Sequence, residues 1–165
     1  MTTRTGMLVL AGLAALASTA VSAADQSAQV ERGRYLVTIS GCNDCHTPGG
    51  RQVAAAIPEK DLLIGVPVGF QGPWGTSYAS NLRLVINSMS ESQWLAHARQ
   101  ERLPPMPWFN LKAMTDDDLK AVYAFVRSLG PAGVAAPAYV APGGKVNTPY
   151  IVFVPQVDKQ QAVTR

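Results

Sequence analysis

The chain has 165 residues, a formal charge of +3 and only 15% charged residues. Its length suits one domain rather than several, and the weak positive balance argues against a nucleic-acid partner. With two cysteines in all, it is not a disulfide-rich scaffold.

Arg4 precedes an uncharged run over residues 6–24, whose apolar centre spans Met7 to Ala17 and which closes on Val21-Ser22-Ala23-Ala24. A positive start, a short apolar core and a small-x-small ending describe a secretory signal peptide, cleaved after Ala23 or Ala24. The apolar core falls short of the ~20 residues a membrane span needs. The chain therefore contacts a membrane only if this segment stays uncleaved as an anchor. In a bacterial cell the exported chain reaches the periplasm, an oxidising compartment. The expected organisation is a signal peptide over 1–24, one domain over 25–131 and an extended C-terminal strap over 132–165.

Residues 29–40 read as a helix, with Val30, Gly33, Leu36 and Val37 on one face. Gly33 costs such a helix about 1 kcal/mol relative to Ala. It is either a tolerated surface glycine or a point where another helix approaches closely.

Cys42-Asn43-Asp44-Cys45-His46 follows. Two thiols three apart with an imidazole directly after the second describe a c-type haem attachment site. Each thiol adds to one vinyl group of haem, and His46 is placed to ligate the iron. These are the only two cysteines, so none is left over. A redox pair would not require His46. A zinc site would need two further ligands, and only one other histidine, His97, exists.

From Thr47 to Gly75 the chain is punctuated by Pro and Gly and shows no helical period. Irregular stretches of this length in a compact domain are commonly functional. Wrapping a flat cofactor would explain it, with Leu62, Leu63, Ile64, Val66, Val68 and Phe70 along the haem edge. Trp74 either lies on the haem, its indole N–H reaching a propionate, or packs in the core.

Ser90 and Gln93 form a capping-box pair that opens a second helix to Glu101, with Trp94, Leu95 and Ala98 apolar. His97 on this helix is a secondary candidate for an iron ligand. Leu103-Pro104-Pro105-Met106-Pro107-Trp108 is a stiff, non-helical loop. It presents one thioether, suited to be the distal ligand of haem iron. Met89 and Met114 read instead as core fillers beside helix caps.

Residues 115–129 form the clearest helix, capped by Thr115 with Asp118 completing the box, striped by Leu119, Val122, Tyr123, Val126 and Leu129, and stopped by Gly130-Pro131. Its crossing with the first helix is expected near Gly33. Beyond Ala132, Pro and Gly forbid a long helix, and Tyr150 to Val154 is too apolar for a free tail. An extended strap on the domain, able to pair as a short strand, is expected there, with residues 156–165 frayed.

These motifs resemble the class I (mitochondrial-type) cytochrome c family over about Gln29 to Gly130. More narrowly, the chain is similar to the monohaem modules in cytochrome c subunits of bacterial periplasmic dehydrogenases. Gly75-Thr76-Ser77-Tyr78-Ala79-Ser80-Asn81-Leu82 carries that group's Gly-x-x-Tyr-x-x-Asn-Leu pattern. Pro105-Met106-Pro107 and Asp118 to Phe125 match its later motifs, whereas Arg83-Leu84 stands where Thr-Pro is common.

The resemblance implies an all-α, small cytochrome c fold, with three to four helices around one covalent haem c and long Gly/Pro loops. It implies Cys42 and Cys45 as thioether links and His46 and Met106 as axial ligands. Trp74, Tyr78 and Asn81 would form the propionate environment, and Pro58 or another loop residue would accept from His46 Nδ1–H. The activity implied is one-electron transfer, not catalysis, from a dehydrogenase donor to a cytochrome or oxidase acceptor. The alternatives are a dedicated haem subunit of a dehydrogenase complex, or a haem enzyme or sensor with an open distal site.

Overall fold

The computed structural model describes residues 7–50 and 57–154, with side-chain surroundings from Ala23 onward. Arg4, part of the Pro/Gly-rich loop and the frayed end expected over 156–165 lie outside the described residues. The first helix, α1 (Met7–Ile39), begins far upstream of the expected Gln29. The Ala- and Leu-rich run that precedes Gln29 has high intrinsic helix propensity, so the helix continues through it. Residues 23–28 are exposed, and packing begins at Gln29 and Val30.

Among the described residues, five shorter α-helices follow. They are α2 (Cys42–His46), α3 (Leu82–Asn87), α4 (Glu91–Ala98), α5 (Trp108–Ala113) and α6 (Asp116–Ser128). The capping box expected at α4 is present, with Gln93 N–H bonded to Ser90 Oγ and Ser90 N–H bonded to Gln93 Oε1. Thr115 Oγ1 accepts from Asp118 N–H at the start of α6. The short helices α3 and α5 lack a sequence period long enough to announce them. α5 starts directly after Pro107, where a missing N–H costs a helix nothing.

α1 and α6 form the principal helix pair. Their buried side chains, Leu36 and Val37 against Leu119, Val122, Phe125 and Val126, make the centre of the core, joined by Leu63, Ile86 and Trp94. The Trp94 indole N–H is satisfied by Leu119 O at 2.8 Å. Gly33 sits at the crossing. A Cβ there would lie 2.0 Å from Ala121 O and 2.7 Å from Phe125 Cβ, so close approach is its purpose. Arg34 lies over the Phe125 ring, and Arg32 grips Asp118 at 2.9 Å.

A small sheet lies to one side of the helices, in the order β2-β1-β3. β1 (Gly69–Gly72) and β2 (Gly75–Tyr78) form a hairpin around Pro73-Trp74, so the first strand and the turn fall inside the stretch read as irregular. The Gly and Pro density of that stretch hid the first strand. β3 (Tyr150–Val152) comes from the C-terminal strap and pairs in parallel with β1. The pairing of residues 150–152 holds this part of the segment against the hairpin.

Arg83 is buried, and its guanidinium donates to the carbonyls of Lys60, Leu129 and Gly130. It therefore joins the end of α6 to the loop after α2. Among the described residues no helix is long and apolar enough to cross a membrane.

Gly33→Ala should lower stability by about 2 kcal/mol or more, since overpacking a tight contact outweighs the ~1 kcal/mol helix gain. Chemical denaturation against an exposed Glu31→Ala control measures it, and equal midpoints would contradict the crossing. Arg32 first, then Thr115, hold the Asp118 carboxyl below its usual range. The pair's stabilisation is present above the ordinary carboxylate pKa and lost as pH falls through the lowered one. Asp118→Asn should flatten the acid limb of the stability–pH curve by on the order of 0.5 kcal/mol, the pair being solvent-screened. An unchanged limb would dismiss the pair.

Candidate haem-binding site

Gly41 separates α1 from α2, and one turn of helix then gathers the site's chemistry. Cys42 and Cys45, at i and i+3, share a face of α2, and His46 at i+4 lies beside Cys42. All three line a cavity of about 430 Å³. Phe70, Leu82, Trp94 and Leu111 supply apolar wall. Neither thiol is in a disulfide. Burial pushes the Cys42 thiol up to about 11. It therefore stays protonated at neutral pH, away from the thiolate that oxidises readily.

His46 is buried, and its Nδ1 lies 2.7 Å from the Ser80 carbonyl. A carbonyl only accepts, so Nδ1 carries the proton and Nε2 keeps the lone pair for a metal. Burial lowers the imidazole pKa, opposed by the Ser80 bond, and keeps the ring neutral as ligation requires. The acceptor is thus Ser80, not Pro58, whose carbonyl takes Asp61 N–H instead.

His46 O accepts from Gly65 N–H at 2.7 Å. Thr47, almost wholly buried, accepts from Leu63 N–H and donates to Asn43 Oδ1, both at 2.8 Å. Leu63 O in turn takes Leu82 N–H. The attachment helix is thereby locked to the loop and to α3. Sequence reasoning missed Thr47 and Ser80. A threonine after the motif gives little signal, and a backbone carbonyl gives none.

Met106 lines the same cavity. Its N–H bonds Leu103 O and its O accepts from Trp108 N–H, so the short Pro-flanked loop is held at both ends. Ser77 Oγ donates to Pro104 O at 2.7 Å, tying this loop to β2. Met114, expected as a core filler, packs on the core and also lines the cavity, whereas Met89 does only the former. Arg99 fixes the chain there through the carbonyls of Leu111, Lys112 and Met114. His97 lines the cavity too, its pKa lowered by burial and then by Arg102.

The remaining expectations divide. Tyr78 lines the cavity, with its hydroxyl engaged by Thr148 at 2.8 Å. Trp74 lies outside it. Its indole donates to Phe70 O at 3.2 Å and packs near Phe153, because the hairpin turn points it at the strap. Asn81 is also outside. Its oxygen caps α3 at Leu84 N–H, and its NH₂ donates to the carbonyls of Ala132 and Val134. Of the six loop residues expected along the haem edge, only Phe70 lines the cavity, and Leu63 is core instead.

Paired thiols on one helical face, a neutral imidazole with a fixed tautomer, and an apolar cavity with a thioether in its wall suit a covalently attached haem. They define a haem-binding protein. The family model for cytochrome c matches residues 30–130, and the chain belongs to that family. Neither a curated protein nor a solved structure matches it. The family carries covalent haem c, and Cys42, Cys45 and His46 fit its attachment motif.

Thr47→Val should leave Leu63 N–H buried without a partner and cost about 1–3 kcal/mol. A denaturation midpoint unchanged from wild type would remove Thr47 from the proximal framework.

Proposed function

We propose that the chain is an exported, class I-type one-electron carrier in which Cys42 and Cys45 form the thioether links and His46 and Met106 are the axial ligands. The observation that carries this reading is Met106 in the wall of the cavity that also holds both thiols and His46. The bound haem supplies reversible one-electron exchange at its iron. His46 contributes Nε2, oriented by the Ser80 carbonyl. Met106 contributes a soft thioether from a loop held by its own hydrogen bonds and by Ser77. His/Met ligation raises the reduction potential. Two permanent protein ligands and apolar walls keep coordination constant and water out, so little reorganisation accompanies each transfer.

The carrier works in the periplasm, after cleavage past Ala23 or Ala24. Exposure of residues 23–28 supports this, since a cut after Ala23 or Ala24 falls in an exposed stretch ahead of the packing that begins at Gln29. The mature chain is then a domain over 25–131 with the strap over 132–165. The similarity to dehydrogenase-associated modules favours a dehydrogenase as donor and a cytochrome or oxidase as acceptor, met through small, transient interfaces. A dedicated subunit of such a complex would use the same site.

A second reading, a haem enzyme or sensor with an open distal site, draws on His97 and Glu101 in the cavity wall. Visible spectra separate the two. The oxidised wild type should show the weak far-red band of Fe–S(Met) ligation, and the reduced protein should resist carbon monoxide. Met106→Ala should abolish the band, lower the potential and admit carbon monoxide. A wild type without the band that binds carbon monoxide rapidly would overturn the carrier reading.

A further inference from the structure

The three residues of the Gly-x-x-Tyr-x-x-Asn pattern share one property in this fold. Each meets the C-terminal strap, which lies beyond the 30–130 family match. A Cβ on Gly75 would stand 2.3 Å from Val140 O and 3.0 Å from the Tyr139 ring. Tyr78 pairs its hydroxyl with Thr148. Asn81 donates to Ala132 and Val134. Between them, Thr76 exchanges both backbone hydrogen bonds with Val140, at 2.7 and 3.0 Å. β3 then joins β1, and Phe153 N–H bonds Gln71 O at 2.7 Å.

The strap held in this way reaches the site. Pro137 and Tyr139 line the same cavity as His46 and Met106. Tyr139 is 50% exposed, so it divides its surface between cavity and solvent, as a covering residue would. Its hydroxyl donates to Trp74 O at 2.7 Å, which fixes it to the hairpin turn. The Trp74 ring also lies near Phe153 of the strap, with centroids 6.4 Å apart, so the hairpin turn and strap meet at two points.

We infer that residues 75–81 are a dock for the C-terminal strap, and that the strap, through Pro137 and Tyr139, forms a solvent-shielding wall of the haem site that helps set its reduction potential. The inference rests on the electron-transfer reading but not on which side chain is the distal ligand. A site open to water stabilises the more highly charged ferric form, and covering it favours the ferrous form. The strap thus adds a tuning element outside the family's common domain.

The test uses full-length holoprotein with Tyr139→Ala, Tyr139→Phe and Thr148→Val, read by redox titration and by amide hydrogen exchange over 132–154. In wild type, the Val140 amide should be protected by its bond to Thr76. Tyr139→Ala should lower the reduction potential while the Fe–S(Met) band persists. Tyr139→Phe and Thr148→Val should speed exchange along the strap and lower the potential by less. A wild-type potential in Tyr139→Ala would overturn the inference. So would unprotected strap amides in wild type. Should Tyr139→Ala fail to retain haem, unchanged exchange and potential in both milder variants would overturn it equally. Loss of the band in wild type would instead sink the Met106 assignment and leave the strap measurements standing.

Discussion

The hydrogen bond between His46 Nδ1 and the Ser80 carbonyl is the contact on which the rest of the site depends. It fixes the tautomer, aims the ring and holds the attachment helix against the segment that enters α3. That segment is itself immobilised, because Asn81 caps α3 and Leu63 O receives Leu82 N–H. The His46 ring is therefore oriented by backbone whose own position is fixed by a buried loop. Haem chemistry is sensitive to imidazole orientation, and here that sensitivity is transferred to the packing of Leu63 and Thr47.

The site was legible where chemistry demands particular side chains at short range. Cys42, Cys45 and His46 declare themselves within five residues, and the prolines around Met106 mark a presented thioether. The caps and stripe of α6 announce that helix for the same reason, since cap and period are local. Less legible was anything decided by chain reversal. Trp74 and Asn81 have side chains fit for a propionate, yet the hairpin turn aims one at Phe153 and the capping geometry gives the other to the strap. Residue type states what a group can bond, while topology decides what it meets.

Arg83 shows the same division from the other side. In sequence it is only a departure from a frequent Thr-Pro. In the fold its guanidinium gathers three carbonyls, two at the C-terminal end of α6 and one in the loop after α2. The two at the end of α6 would otherwise be helix-end acceptors lacking partners, and a cation is favoured at that end of the dipole. Arg83 thus acts as a buried clamp.

The parallel pairing of β3 with β1 has a consequence for the order in which the domain can be completed. Gly69 and Tyr150 are partners across a separation that includes the Met106 loop and all of α6. Contacts between such distant segments come at a high loop-closure cost until the intervening helices are formed. Cys42, Cys45, His46 and Met106 precede the strap in the chain, while Pro137 and Tyr139 of the strap complete the lining of the cavity. The strap that brings Pro137 and Tyr139 to the cavity thus makes the most sequence-distant strand pairing of the sheet, and that pairing depends on helices already in place.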